Sequence, residues 1–569
     1  MSIYEELSRE RKHLQAVGEL PEWITTVSWQ MLKDKYLDKG ESLRHRFGVI
    51  ADTAASYLDD VAPLYVEGMW SSIFFNLMWK GYLAPSTPVL ANMGKSNGCS
   101  VSCSGQYIGD SVFDFYSNQL ESALLSKNGF GTSGYLGDIR GRGVPISNMR
   151  GGASGIVPVF KDFVQVARDI SQGSQRRGAW AGYLPIDHPD FYELINFISK
   201  EPDDANVGWC ISQAFIDRLN NGDSEALERY QKAMKLKMVT GKGYFFKSDT
   251  VNELKPQWYK DRDFTIDASN LCTEIALPSN EEETFTCVLS SLNLSKWNEF
   301  KDSNVIFHSL VFLHCVALDF IKVGSGIKGL EKAVNFTRNH MALGLGYLGF
   351  HTYLQDNRIP FESLEANYFN TEVASTVDKE TLRASQWLAT IFGEAPVTKG
   401  YGVANATRIA IAPNLSSALI CGGVSQGIEP IYKNVYTQGS AAGEIHRISP
   451  ALIQVLEEHG EYNPSTINNI IDHNGSVQQL PFLTRHDKLV FKTAFEIDQH
   501  VIIRLAANRQ RYIDQAQSIN LFFSSDEDEA YISSVHKEAF LNPYIKSLYY
   551  IRSESGVMAS KGECIACAS

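Results

Sequence analysis

The chain has 569 residues, 44% hydrophobic and 21% charged, with a formal net charge of −13. That length accommodates several domains or one large α/β barrel, and the composition is that of an ordinary globular protein with a substantial core. The acidic balance excludes broad affinity for nucleic acid or anionic membrane, so positive groups for an anionic ligand must be local.

The opening MSIYEELSRERKHLQ is charged and helical in pattern and lacks the apolar segment of a secretory signal, which predicts a cytoplasmic protein. Residues 1–80 carry recurring apolar positions, as in SLRHRFGVIADTAASYL and GMWSSIFFNLMWKGYL, and predict a helical N-terminal region. From 81 to 552, loops marked by Gly, Ser and Pro alternate with apolar runs and amphipathic helices such as IVPVFKDFVQVARDIS. That alternation predicts an α/β core of parallel strands and covering helices. Residues 286–292 and 408–412 are short strand candidates. The longest apolar stretch, 305–324, is interrupted by His308, His314, Asp319 and Lys322 and reads as a core helix rather than a membrane span. Residues 553–569 are small and polar, too poor in apolar surface to fix themselves, and predict a mobile tail.

Nine cysteines, an odd and scattered set, are not those of a secreted disulfide scaffold, so reduced thiols are expected. In DASNLCTEI, 267–275, an extended chain would put Asn270, Cys272 and Glu274 on one face. A buried core cysteine and a reactive one fit that segment equally well. Cys564 and Cys567 form C-x-x-C without a second pair nearby, which disfavours zinc and leaves an exchangeable dithiol. GLGYLG, 344–349, spells G-x-G-x-x-G but follows a helical pattern, so close packing explains its glycines better than a dinucleotide does. In APNLSSALICGG, 412–423, a turn can present backbone N–H groups and hydroxyls to a phosphate or simply cap a helix. Gly-rich loops with interspersed arginines at 128–155 and 171–182 are candidate nucleotide-facing segments, against the alternative of solvated flexible loops. Adjacent Tyr549 and Tyr550 read by themselves as core aromatics.

In their order, SNLCTEIALPS, TCVLSSLNLS, APNLSSALICGG leading to GIEP, DQAQSINLF, the Tyr-Tyr pair and the tail dithiol resemble the large catalytic subunit of aerobic (class I) ribonucleotide reductases over nearly the whole chain. The resemblance implies a ten-stranded α/β barrel of two five-stranded halves, with a central finger loop carrying Cys272. It implies reduction of ribonucleoside diphosphates to deoxyribonucleotides: Cys272 as a thiyl radical taking the 3′ hydrogen, Glu274 as general base, and Asn270 on the sugar hydroxyls. Cys103 and Cys287 would be the reductant pair, with Cys99 the rival to Cys103, and Cys564 and Cys567 would re-reduce them from the tail. Tyr549 and Tyr550 would pass the radical from a ferritin-like small subunit holding an Fe or Mn cofactor, this chain holding no metal.

The same resemblance puts substrate phosphates on Asn414, Leu415, Ser416 and Ser417, with Thr87, Ser102 and Gly131 completing the pocket. Asp110 and Arg140 would bind a deoxynucleotide or ATP effector, with Mg2+, and the loop Gln172, Gly173, Ser174, Gln175, Arg176, Arg177, Gly178, Ala179 would relay effector identity. It further implies a homodimer and thioredoxin or glutaredoxin as reductant. The family's N-terminal ATP-binding domain is not matched, so control through it is expected to be missing. The cobalamin-dependent class shares the Cys, Asn and Glu set but needs no tyrosine pair. A non-catalytic nucleotide sensor would lack one of the cysteines, and no radical-glycine motif precedes the tail.

Overall fold

The computed structural model describes residues 3–62, 68–96, 98–147, 150–172, 176–200, 206–440 and 443–553. The chain opens with helices Ile3–Ala16, Thr26–Lys35, Leu43–Ala55 and Trp70–Trp79. Thr25 and Ser42 cap the second and third, their hydroxyls accepting from Ser28 N and His45 N. Buried Leu32, Phe47, Ile50, Trp70 and Phe74 join these helices to the main core.

The barrel follows. Strands Cys103–Tyr107, Thr132–Tyr135, Trp180–Pro185, Asn206–Cys210 and Tyr244–Phe246 pair in parallel, neighbour to neighbour, and form one half. Each parallel step needs a crossover, and helices such as Val112–Lys127, Ile156–Asp169 and Ser224–Thr240 supply it. The other half runs through Phe285–Asn293 and Leu343–Leu348, which are parallel. It continues through 407–411, whose Thr407 and Arg408 carbonyls accept from Leu343 N and Leu345 N, then through 515–523 and 547–553. Two antiparallel seams join the halves, Cys103–Gly105 against Phe285–Cys287 and Phe245–Phe246 against Ser547–Leu548.

Where a strand was expected, residues 408–412 carry one isolated bridge, at Ile411, beside backbone hydrogen bonds from Leu345 N, Gln515 N and Ser518 N to the Arg408, Ile409 and Ile411 carbonyls. The Asp514 carboxylate accepts from Arg408 N and Ile409 N at 2.8 and 2.9 Å, taking donors that a ladder would use. The glycines of 344–349 sit in the strand Leu343–Leu348. A Cβ at Gly346 would meet the Ala410 carbonyl oxygen at 2.6 Å, so close backbone approach is what they serve.

Among the described residues one helix, Val305–Gly324, is long and apolar enough to cross a membrane, and 78% of its most apolar 18-residue stretch is buried inside the protein. A smaller hydrophobic cluster, around Leu452, Val455, Ile470 and Phe491, lies apart from the barrel core.

Candidate active site

The segment 267–276 threads through the barrel with Asn270, Cys272, Thr273 and Glu274 all buried. It is not extended, as the even spacing would need: 271–273 form a turn, with Thr273 at φ 68°. The turn, rather than a strand's pleat, brings the ends together, and Asn270 Nδ2 donates to Glu274 Oε1 at 2.9 Å.

A loop buried this deeply must have its backbone groups satisfied by the surrounding wall. Tyr183 Oη donates to the Asn270 carbonyl at 2.6 Å, Ser518 Oγ to the Cys272 carbonyl at 2.6 Å, and Ser547 Oγ to the Thr273 carbonyl at 3.0 Å. Ala516 N donates to the Glu274 carbonyl at 2.9 Å, and Ala276 N to Gln515 Oε1 at 3.2 Å. Both barrel halves contribute, so the loop's tip is fixed from opposite sides.

Burial pushes the Glu274 carboxyl up to about 7, against the opposing pull of hydrogen bonds from Asn270, Ser518 and Cys103. Ser518 Oγ lies 3.2 Å from Glu274 Oε2, and Cys103 Sγ lies 3.9 Å from Glu274 Oε1. A carboxyl raised to about 7 by burial can take up or release a proton near neutral pH.

Cys103 and Cys287 are direct partners across the first seam. Opposed residues of an antiparallel pair stand ~4.5–5.5 Å apart at Cα, within the span of a disulfide. Asn270 Nδ2 also donates to Cys103 Sγ at 3.2 Å, and Gln515 Nε2 to Cys287 Sγ at 3.3 Å. Cys99 has no such counterpart; it is fully buried, and desolvation raises its thiol to about 12.

Behind the loop, Tyr549 Oη donates to Cys272 Sγ at 3.4 Å. The Tyr549 and Tyr550 rings lie 4.0 Å apart between centroids, and Tyr244 packs on both, its hydroxyl 3.3 Å from that of Tyr550. Buried Lys237 donates through Nζ to the Tyr549 carbonyl.

One cavity gathers much of this: Cys103, Cys272 and Glu274 line it together with Thr87, Ser102, Gly131, Asn414, Ser416 and Ser417. Leu415 does not line it; it begins the short helix Leu415–Ile420, and Asn414 at the cap position makes no side-chain cap bond. The buried hydroxyls of Ser86 and Ser102 have no hydrogen-bond partner among the described residues, and both residues line the cavity. Buried polar atoms left this way mark where a ligand can complete the bonding.

Asp110 and Arg140 lie apart from the cavity and pair with each other, Arg140 Nε to Asp110 Oδ2 at 2.5 Å. Of the loop 172–179, Gln172 pairs with Arg176 in a two-residue ladder that also joins Ser171 to Arg177, and the Ala179 carbonyl accepts from Thr132 N. Gly178 follows that ladder, while Gly173, Ser174 and Gln175 lie outside the described residues, as do Cys564 and Cys567. Among the described residues no group of three or more His, Cys, Asp or Glu could hold a metal ion.

Sequence reasoning did not single out Gln515, Ser518, Tyr244 or Ser86. The first two lie in DQAQSINLF, a segment whose order was informative but whose side-chain directions were not.

The model of the ribonucleotide reductase barrel domain matches residues 101–230, 221–399 and 395–551, and that of the family's all-alpha domain matches 22–98. The chain is 30% identical to a ribonucleoside-diphosphate reductase large subunit of Invertebrate iridescent virus 3, over 94% of each chain. It is 27% identical to the Danio rerio large subunit, covering 85% of this chain and 70% of that protein. The solved alpha subunit of an Actinobacillus ureae class Id ribonucleotide reductase superposes with a TM-score of 0.87 at 36% identity, over 95% of this chain and 99% of that one.

Proposed function

The chain belongs to the ribonucleotide reductase large-subunit family and reduces ribonucleoside diphosphates to 2′-deoxyribonucleoside diphosphates, and on that premise we propose a role for each residue around the cavity. Cys272 is the hydrogen abstractor. Tyr550 and Tyr549 carry the oxidising equivalent inward, and a Tyr549 phenoxyl takes the hydrogen atom of the Cys272 thiol, leaving a thiyl. Their mutual contact and the Tyr549 bond to Cys272 support that route and favour a radical delivered by a second subunit.

The thiyl takes the 3′ hydrogen of the ribose while Glu274 accepts the proton of the 3′ hydroxyl and Asn270 holds the sugar hydroxyls. The 2′ hydroxyl leaves as water. Cys103 and Cys287 supply two electrons and close to a disulfide, and Cys272 returns the hydrogen to C3′. Cys564 and Cys567 then reopen the disulfide by exchange, and thioredoxin or glutaredoxin restores them.

Thr87, Ser102, Gly131, Asn414, Ser416 and Ser417 hold the substrate and its diphosphate, with Leu415 offering only its backbone. The unpartnered hydroxyl of Ser86 adds a further donor. Asp110 and Arg140 take the effector nucleotide with Mg2+, and residues 172–179 relay its identity. Val112, Phe113, Tyr116 and Leu120 form an exposed apolar stripe on the helix just after Asp110, which supports a homodimer with the effector at its edge. The ferritin-like small subunit holds the Fe or Mn radical cofactor. The complex works in the cytoplasm, where the cysteines this mechanism uses stay reduced.

The observation that carries this reading is the convergence of Cys103, Cys272 and Glu274 on one cavity, with the Tyr549 hydroxyl on the Cys272 sulfur from behind. The test is diphosphate reduction by the chain with a ferritin-like small subunit or with adenosylcobalamin. Activity should require the subunit, and activity with adenosylcobalamin alone would overturn the two-subunit route.

A further inference from the structure

Gln515 is fully buried and takes part in no step described above. Its Nε2 donates to Cys287 Sγ at 3.3 Å and to the Leu343 carbonyl and Thr407 Oγ1, each at 2.9 Å. Its Oε1 accepts from Ala276 N of the finger loop at 3.2 Å, and Lys546 Nζ donates to its carbonyl at 2.6 Å. Two amide hydrogens thus serve three acceptors. The share given to sulfur grows when that sulfur becomes an anion, because hydrogen bonds to charged acceptors are the stronger ones.

The two cysteines of the seam stand in different surroundings. Cys103 lines the cavity, whereas Cys287 is 0% exposed and lies behind it. An anion on Cys103 faces the Glu274 carboxylate as well as the Asn270 amide, while an anion on Cys287 meets the Gln515 donor. Burial raises the Cys287 thiol, and the Gln515 bond opposes that rise.

We propose that Gln515 is a positioning residue that sets the direction of disulfide exchange, so that an incoming thiolate attacks Cys103 and Cys287 leaves. The inference rests on Cys103 and Cys287 being the reductant pair. In the first step a bond forms between the incoming sulfur and Cys103 Sγ, the bond between Cys103 and Cys287 breaks, and its electron pair goes to Cys287 Sγ, which is then protonated. The second thiolate of the incoming dithiol displaces Cys103 in turn. The dithiol ends oxidised and both cysteines end reduced.

The test uses the full chain oxidised with diamide, then treated with 2-mercaptoethanol, quenched in acid, alkylated and mapped by mass spectrometry. The mercaptoethanol adduct should sit on Cys103 and the alkyl label on Cys287, in roughly tenfold excess over the reverse, the scale of one charge-assisted hydrogen bond. An even split, or an excess on Cys287, overturns the inference. Failure of the Cys103 to Cys287 bond to form at all overturns the pair itself, and the direction with it. Gln515→Leu removes the donor, and Gln515→Glu keeps the shape and the acceptor for Ala276 N. Both should slow reduction by dithiothreitol about tenfold and even out the adducts. A purely structural role would shift the melting temperature and leave the adduct ratio alone, and an unchanged ratio in both variants overturns the assignment. If Gln515→Leu does not fold, the adduct ratio of Gln515→Glu decides in its place.

Discussion

Tyr549 aims its phenol at Cys272, Oη to Sγ at 3.4 Å, from the barrel half that closes against Tyr244–Phe246. The contact joins an oxidisable side chain to a cysteine sulfur whose residue is only 4% exposed.

Tyr549→Phe keeps the ring that packs against Tyr244 and Tyr550 and removes only the hydroxyl. Stability should fall by about 1 kcal/mol, the worth of one buried hydrogen bond. Diphosphate reduction should fall by at least roughly a hundredfold, because more than 2.7 kcal/mol of barrier returns when the phenol is lost. The paired measurement is thermal melting and steady-state reduction of the same preparation; near-normal turnover would remove Tyr549 from the route.

The Glu274 carboxyl, raised to about 7 by burial, gives the reaction a pH dependence with a definite sign. Below that pH it is protonated and cannot accept the 3′ hydroxyl proton, so the single-turnover rate should rise with pH through about 7. Stability runs the other way. The fold holds this proton more tightly than the unfolded chain, so the contribution is complete below ~4.3 and is lost as pH climbs through the raised value. Glu274→Gln should abolish both slopes, seen in a rate profile and in denaturant melts at several pH values.

Asn270→Asp would put a second carboxylate against Glu274 Oε1, where the amide now donates at 2.9 Å. Like charges at that separation cannot both ionise readily, so the acid limb of the rate should move to higher pH by about one unit or more. An unmoved limb would show that Asn270 and Glu274 are uncoupled in the reacting complex.

Gly346→Ala tests the packing rather than the chemistry. Its Cβ would stand 2.6 Å from the Ala410 carbonyl oxygen, a backbone atom that cannot swing aside. Overpacking of this kind costs roughly 1–3 kcal/mol, and a chemical denaturation midpoint measures it.

Much of this was legible in the sequence. The glycines of 344–349 announced close packing, and the helical pattern ahead of them argued against a dinucleotide site. The register of Cys103 with Cys287 was not legible from spacing, because the pairing crosses a seam between elements separated by the whole first half of the barrel. Only the family's order of motifs pointed to that pair. The even spacing of Asn270, Cys272 and Glu274 suggested a shared face for the wrong local reason, since a turn with Thr273 at positive φ does what a strand was expected to do. Gln515 and Ser518 escaped notice because their roles depend on which wall of the barrel faces the loop. That orientation is set by tertiary packing and leaves no local pattern.

The central claim is that Cys272 performs the hydrogen abstraction, and the most direct measurement is reduction of a 3′-tritiated ribonucleoside diphosphate by Cys272→Ser beside the unaltered chain, each supplied with the small subunit. The unaltered chain should give deoxynucleotide with a selection against tritium. The serine variant should bind the diphosphate normally by calorimetry and give no product, because a hydroxyl cannot replace the thiyl. Sustained reduction by the variant, or product from the unaltered chain without any tritium selection, would contradict the account.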